Sequence, residues 1–115
     1  MTNTEKRLAD QQCKQYSSGT PPISKQEAER MLKQVPEWSL DAKKIDRELK
    51  FQDFRQAMDF VDGVAELADD ENHHPDIHIS YNRVHLTLST HRIGGLSPND
   101  FILAAKIDRM LSKSR

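Results

Sequence analysis

The sequence has few of the residues that build disulfides or thiolate metal sites, since Cys13 is the only cysteine among 115 residues. A lone cysteine forms no internal disulfide, and thiolate zinc sites need several. Long apolar runs are also missing: the longest, Phe101–Ala105, is far shorter than the roughly 20 residues that cross a bilayer. The polar start MTNTEKRLADQQ does not resemble a secretory signal. These absences predict a reduced, cytoplasmic domain with no membrane partner.

An excess of charge of one sign is missing as well. The 17 basic residues nearly balance the 18 acidic ones, so the formal net charge is only −1. A protein that coats nucleic acid needs a basic field, so we expect no nucleic-acid partner. The length suits one domain. Residues 1–22 are polar, end in SSGTPP and predict a loosely ordered N-terminal arm, which leaves 23–115 as a single domain.

Capping residues predict three helices. Ser24 opens the capping box SKQE, and Pro36 is expected to end the helix that follows. Asp53 can cap a second helix, whose apolar residues recur at three- and four-residue spacing. The stretch SPND, which begins at Ser97, combines a capping serine, a proline at the first helical position and an acid, Asp100, in the first turn.

Between the predicted helices the apolar residues alternate with polar ones, which is typical of strands with one buried face. Ile45 and Leu49 belong to a first hairpin that turns at DAKK. A second hairpin contains Ile77, Ile79 and Tyr81, and Asn82-Arg83 offers its turn. The order helix, strand, strand, helix, strand, strand, helix predicts an α+β two-layer sandwich. Its four-stranded antiparallel sheet carries three helices on one face.

All five histidines fall within nineteen positions, in the stretch ENHHPDIHISYNRVHLTLSTH, whereas the first 72 residues contain none. Strand alternation places His78 and His85 on the face of the sheet that the helices do not cover, where they need no special role. Pro75 disfavours a helical conformation at His74, so the second helix must end at or before that residue.

The hairpin geometry predicts that three imidazoles meet. The start of the first strand of the second hairpin lies beside the end of its second strand, which brings His91 near His73 and His74. Such a convergence of titratable groups is a candidate active site. Three imidazoles can also hold a catalytic zinc ion, but adjacent histidines tend to diverge and no thiolate is near, so we expect no metal. Acid–base chemistry requires only groups that titrate near neutrality in one pocket. A nucleophilic triad is a weaker interpretation, because Cys13 lies in the arm.

Three motifs carry a family resemblance: NHHPD from Asn72, YNRVHLTLSTH from Tyr81, and GGLS from Gly94. The chain from about Ser24 to Asp108 resembles the pterin-4a-carbinolamine dehydratase family, and the element order agrees with that resemblance. The arm lies outside it. The resemblance implies a hydro-lyase that removes water from a 4a-hydroxytetrahydropterin to give quinonoid dihydropterin, with no metal or cofactor. It implies acid–base roles for His73 and His91, while His74 mainly holds the pterin ring.

The resemblance also implies a set of substrate-binding residues, namely Asp69, Asn72, Ile77, Ser89, Thr90 and Asp100. Asp69 could accept hydrogen bonds from the pterin or favour protonated histidines, although it could equally be a solvated acid. Asp100 is already explained by its position at the start of a helix. Ile77 stands where many members have an aromatic residue, and Asn72 stands where an aspartate is common.

A non-catalytic interaction or assembly module of the same fold is the alternative function. The histidine set distinguishes the two, because a module that only binds partners does not need it. The family resemblance implies a homodimer that joins sheets, or a homotetramer built through helices. A sparsely guarded sheet edge and a wide apolar face on the third helix also favour a homo-oligomer.

Overall fold

The computed structural model describes residues 7–113, so part of the predicted arm, residues 1–6, lies outside the described residues. Three α-helices and four strands follow a short 3₁₀ turn at Leu8–Asp10. Their bounds are α1 Lys25–Leu32, β1 Ser39–Asp41, β2 Lys44–Lys50, α2 Phe54–Glu71, β3 Asp76–Ser80, β4 Arg83–Leu88 and α3 Pro98–Lys113. This order confirms the predicted α+β class. Within residues 7–113, no helix is long and apolar enough to cross a membrane.

The four strands form one antiparallel sheet in the order β1-β2-β4-β3. In β4 the side chains of Val84, Leu86 and Leu88 are fully buried, whereas His85 and Thr87 between them are not. This alternation gives the sheet one face against the core, as predicted. Strand β3 occupies an edge, and every one of its residues is exposed.

Each predicted helix cap is present as a hydrogen bond. Ser24 Oγ accepts from the backbone N–H of Glu27 at 3.1 Å. Asp53 Oδ1 accepts from the N–H of Gln56 at 2.9 Å. Capping serines and aspartates satisfy N–H groups that have no partner inside the helix, which is why these residues set where α1 and α2 begin.

The turn of the second hairpin lies one residue earlier than predicted. Ser80 pairs with Arg83, so the turn residues are Tyr81 and Asn82 and not Asn82 and Arg83. Tyr81 adopts a left-handed conformation with φ of 53° and is 66% exposed. Tyr81 therefore does not continue the predicted alternation of Ile77 and Ile79, because a residue in the turn leaves the alternation of the strand.

A charged cluster fastens the sheet to α3. Asp108 Oδ1 accepts hydrogen bonds from Arg47 at 2.8 Å and from the indole N–H of Trp38 at 2.9 Å. Burial raises the pKa of the Asp108 carboxyl, while the bonds to Trp38 and Arg47 oppose that rise. Because a buried charge is costly without partners, this arrangement favours a single register between the sheet and α3.

The sequence predicts a loosely ordered N-terminal arm, but the described part of this arm contributes a residue to the core. Leu8 is only 3% exposed and belongs to the hydrophobic core with α3 residues such as Phe101 and Ile107. The wide apolar face of α3, which favoured an oligomer in the sequence, is thus covered within the chain. One apolar residue in a polar segment has no periodicity, so the pattern could not reveal this anchor.

Candidate active site

A cavity of about 310 Å³ lies where α2 ends, β4 ends and α3 begins. Three imidazoles line it, those of His73, His74 and His91, which the sequence predicted to meet. The other lining residues are Lys14, Gln15, Tyr16, Asn72, Ser89, Thr90, Arg92 and Asn99. Its volume is at the lower end of the range for small-molecule sites, so it suits a compact ligand.

The end of α2 sets the position of the paired histidines. Asn72 takes the left-handed conformation, with φ of 53° and ψ of 41°. The backbone N–H of His73 then bonds back to the carbonyl of Ala68 at 3.1 Å. Asparagine tolerates this conformation better than most residues do, and such a residue is a common way to end a helix. Asn72 therefore turns the chain at the point where the two histidines begin.

A short loop after β4 positions His91. Thr90 and Gly95 form an isolated antiparallel bridge, with the N–H of Thr90 2.9 Å from the carbonyl of Gly95. Gly94 closes the loop at φ of 70°, a left-handed conformation that favours glycine. Ile93 is buried, so the bridge and this anchor hold the loop from which His91 lines the cavity.

The closest contact in the site joins His73 to Asp100. His73 Nε2 lies 2.6 Å from Asp100 Oδ1, and the carboxylate is completely buried. Asp100 Oδ2 accepts two further bonds, from Thr90 Oγ1 at 2.9 Å and from the N–H of Ser97 at 3.0 Å. Since an ionised carboxylate only accepts, we assign the proton of this contact to His73 Nε2. That leaves Nδ1 of His73 for exchange with a ligand.

Asp100 also starts α3. Ser97 Oγ accepts from the N–H of Asn99 at 3.2 Å, while Asp100 reaches back to the N–H of Ser97. This reciprocal pattern is a capping box, which confirms the helix start predicted from SPND. The helix-start explanation of Asp100 was incomplete, because the other carboxylate oxygen contacts His73.

Asp69 lies one helical turn before His73 and contacts the neighbouring imidazole. Its Oδ1 is 2.9 Å from His74 Nε2, with the two side chains 79% and 56% exposed. Water screens a pair this exposed, so it contributes little to stability. It can still orient the His74 ring.

The structure brings most of the predicted site residues together. Asn72, Ser89 and Thr90 line the cavity with the histidines, and Asp69 and Asp100 contact two of those histidines. Ile77 is the exception: it lies in the exposed edge strand and is absent from the lining. Sequence reasoning missed five lining residues, Lys14, Gln15, Tyr16, Arg92 and Asn99. Arg92 and Asn99 adjoin motif residues, but nothing in the pattern of the arm pointed to the other three.

The remaining two histidines lie elsewhere. His78 and His85 are directly opposite each other in the sheet, and His85 Nε2 is 2.7 Å from Asp46 Oδ2. A larger cavity, of about 860 Å³, lies between α1, β1 and the Gly94–Leu96 loop, but no histidine lines it. Its chemistry is less suited to proton transfer than that of the smaller cavity. Among the residues that the structure describes, no three histidine, cysteine or acidic side chains are grouped to hold a metal ion.

Comparisons with known proteins agree with the fold and the motifs. The family model for pterin 4 alpha carbinolamine dehydratase matches residues 21–110. A protein of Halorhodospira halophila named "Putative pterin-4-alpha-carbinolamine dehydratase" is 49% identical over 105 residues, covering 90% of this chain and 96% of its own. A Nitrosomonas eutropha protein of the same name is 47% identical, with coverage of 90% and 93%.

A solved structure is also similar. It is entitled "Crystal structure of transcriptional coactivator/pterin dehydratase from Brucella Melitensis" and superposes with a TM-score of 0.73 at 32% identity. The match covers 77% of this chain and 97% of that one. Fold and site define an α+β domain with an imidazole pocket at the junction of a helix and a hairpin. The chain belongs to the pterin-4a-carbinolamine dehydratase family.

Proposed function

We propose that this protein dehydrates a 4a-hydroxytetrahydropterin, such as the biopterin form, to quinonoid dihydropterin. The observation that carries the proposal is the meeting of three imidazoles in one small cavity, one of them backed by a buried carboxylate. The reaction breaks the C4a–O bond, and an acid protonates the departing hydroxyl to give water. A base takes the N5 proton, and the N–H electrons form the C4a=N5 double bond. Imidazole serves both steps because it ordinarily titrates near neutrality.

The contacts of the histidines suggest their roles. The Asp100 carboxylate holds the Nε2–H side of the His73 ring, which leaves Nδ1 of His73 suited to take the N5 proton. His91 comes from a different element of the cavity wall and is suited to protonate the leaving hydroxyl. His74, held by Asp69, then positions the ring. With these assignments, residues of this chain carry out both proton transfers of the proposed reaction, and no metal is required.

The direct test is the dehydration rate of 4a-hydroxytetrahydropterin in a rapid-mixing assay. We expect the protein to raise the rate above the spontaneous one, with the same rate after treatment with a chelator. A rate that stays at the spontaneous value contradicts the proposed function. Loss of activity with the chelator contradicts the metal-free mechanism alone.

We further propose that the protein is a homodimer or homotetramer, with β3 as one contact. This edge strand leaves Ile77 and Ile79 each 36% exposed, and Tyr81 in the adjoining turn is 66% exposed. An exposed apolar edge strand pairs readily with another strand. Light scattering should give a multiple of the 13.3 kDa chain mass, and the mass of one chain would contradict this proposal. The cytoplasmic location stays a prediction from the sequence.

A further inference from the structure

The segment Cys13–Tyr16 is fixed beside the histidines by buried side chains. The Asn99 amide pairs with both backbone groups of Lys14: the Lys14 N–H donates to Oδ1 at 2.9 Å, and Nδ2 donates to the Lys14 carbonyl at 2.7 Å. Asn99 is only 4% exposed and adjoins Asp100. Glu71 Oε1 accepts from the N–H of Cys13 at 2.9 Å. The first half of this segment, Cys13 and Lys14, is thus held by its backbone next to the site.

Other contacts anchor the chain before this segment. The N–H of Leu8 donates to Gln34 Oε1 at 2.9 Å, in addition to the burial of the leucine side chain. Arg109 donates to Asp10 Oδ1 at 2.6 Å. Burial, reinforced by the nearby negative charge of Glu71, raises the pKa of the Cys13 thiol to about 12. Burial is also the main cause that raises the pKa of the Tyr16 phenol.

The docked segment forms one wall of the histidine cavity. Lys14, Gln15 and Tyr16 line it together with His73, His74 and His91. The family model begins only at residue 21, so this wall lies outside the part of the chain that the model matches. It is therefore a feature that the family model does not describe, although the curated relatives match the chain across it.

The charges that line the cavity have one sign. Lys14 from the docked segment and Arg92 from the loop after β4 are both lining residues, and none of the described lining residues is an acid. Of the three nearby acids, Asp100 lies buried behind His73, Asp69 contacts His74, and Glu71 contacts Cys13 and pairs with Lys106. A cavity whose described lining has two cationic residues and no carboxylate attracts an anion.

We propose that the segment Lys14–Tyr16 is a specificity-determining wall of the substrate site, selecting pterins whose C6 substituent carries a carboxylate or a phosphate ester. This inference rests on the proposed function. If the histidines act at C4a and N5, the substituent on C6, the carbon bonded to N5, leaves the ring beside them in the same cavity. Lys14 and Arg92 can then pair with its negative charge.

The test measures binding of stable oxidised pterins by fluorescence. We expect 6-carboxypterin and the phosphate ester of 6-hydroxymethylpterin to bind about three- to fivefold more tightly than neutral 6-hydroxymethylpterin at low salt. The preference should shrink near 1 M salt, where charges are screened within about 3 Å. Lys14→Gln should remove most of it without weakening the neutral ligand. The two anionic probes together show which anion is preferred.

Lys33→Gln is the matched control, because Lys33 is an exposed lysine that does not line the cavity. It should leave all affinities unchanged. Slow alkylation of Cys13 in native Lys14→Gln, compared with the urea-unfolded chain, shows that the segment is still docked. Equal affinity of the unaltered protein for neutral and anionic probes overturns the inference, as does a preference that survives Lys14→Gln. If the proposed function is wrong, the protein binds pterins but does not accelerate dehydration. This result is distinguishable from a failure of the inference, which appears in the binding affinities.

Discussion

Replacement of His73 by alanine is expected to lower kcat for dehydration by about 100- to 10,000-fold, the usual contribution of one general acid–base group. His73 is the imidazole with a buried partner, since its Nε2 lies 2.6 Å from a carboxylate that is completely shielded from water. Without the ring, the N5 proton has to leave to solvent or to a less favourably placed imidazole. The measurement is the enzyme-dependent part of the dehydration rate, at saturating substrate.

His78→Ala is the control for this substitution. It removes an imidazole of the same cluster in the sequence, but one that lies on the uncovered face of the sheet and does not line the cavity. We expect kcat within about twofold of the unaltered protein, because nothing in the site contacts His78. If His73→Ala lost less than about tenfold, or if both variants lost the same amount, His73 would not carry the proton transfer.

Asp100→Asn is expected to lower kcat by roughly 10- to 100-fold, the equivalent of the 1.5–3 kcal/mol that a hydrogen bond to a charged group contributes. The amide has the size of the carboxylate but not its charge, so it accepts only a weaker, neutral hydrogen bond from His73 Nε2 and orients the ring less firmly. Asp100 does not line the cavity, and its effect on KM should therefore be small. The loss should be much smaller in the His73→Ala background, where no imidazole remains for Asp100 to position.

Two readouts separate this positioning role from a structural one. The variant also weakens the start of α3, since Asp100 Oδ2 accepts from Ser97 and Thr90, and we expect a loss of about 1–3 kcal/mol in the free energy of unfolding. Thermal unfolding measures that loss, and kinetics are read well below the transition. An equal loss of kcat from Asp100→Asn in the His73→Ala background would contradict the positioning role and leave only the structural one.

Most of the fold could be predicted because local sequence patterns determine where its helices and strands begin and which faces they bury. Ser24, Asp53 and Ser97 mark helix starts by hydrogen bonds to residues two or three positions away, within reach of sequence reasoning. The alternation of Val84, Leu86 and Leu88 likewise fixes which face of the sheet is buried. The turn was predicted one residue too late because tyrosine rarely adopts a left-handed conformation, so the residue type at position 81 did not indicate a turn.

The site was predictable in part, for a related reason. Hairpin geometry alone brings His91 towards His73, since the two ends of one hairpin must meet. The contact between His73 and Asp100 spans 27 residues and depends on how α3 packs, which no local pattern encodes. The docked segment is harder still, because Asn99 and Lys14 are 85 residues apart in the chain.

The Asp100 carboxylate has two structural roles. Its Oδ2 accepts a hydrogen bond at the start of α3, and its Oδ1 contacts His73. An evolving sequence can rarely change such a position, because each task constrains a different part of the same side chain. Glutamate adds a methylene inside a fully buried space, asparagine lacks the charge, and serine could cap the helix but not reach the imidazole. Substitution tolerance along α3 should therefore reach its minimum at residue 100.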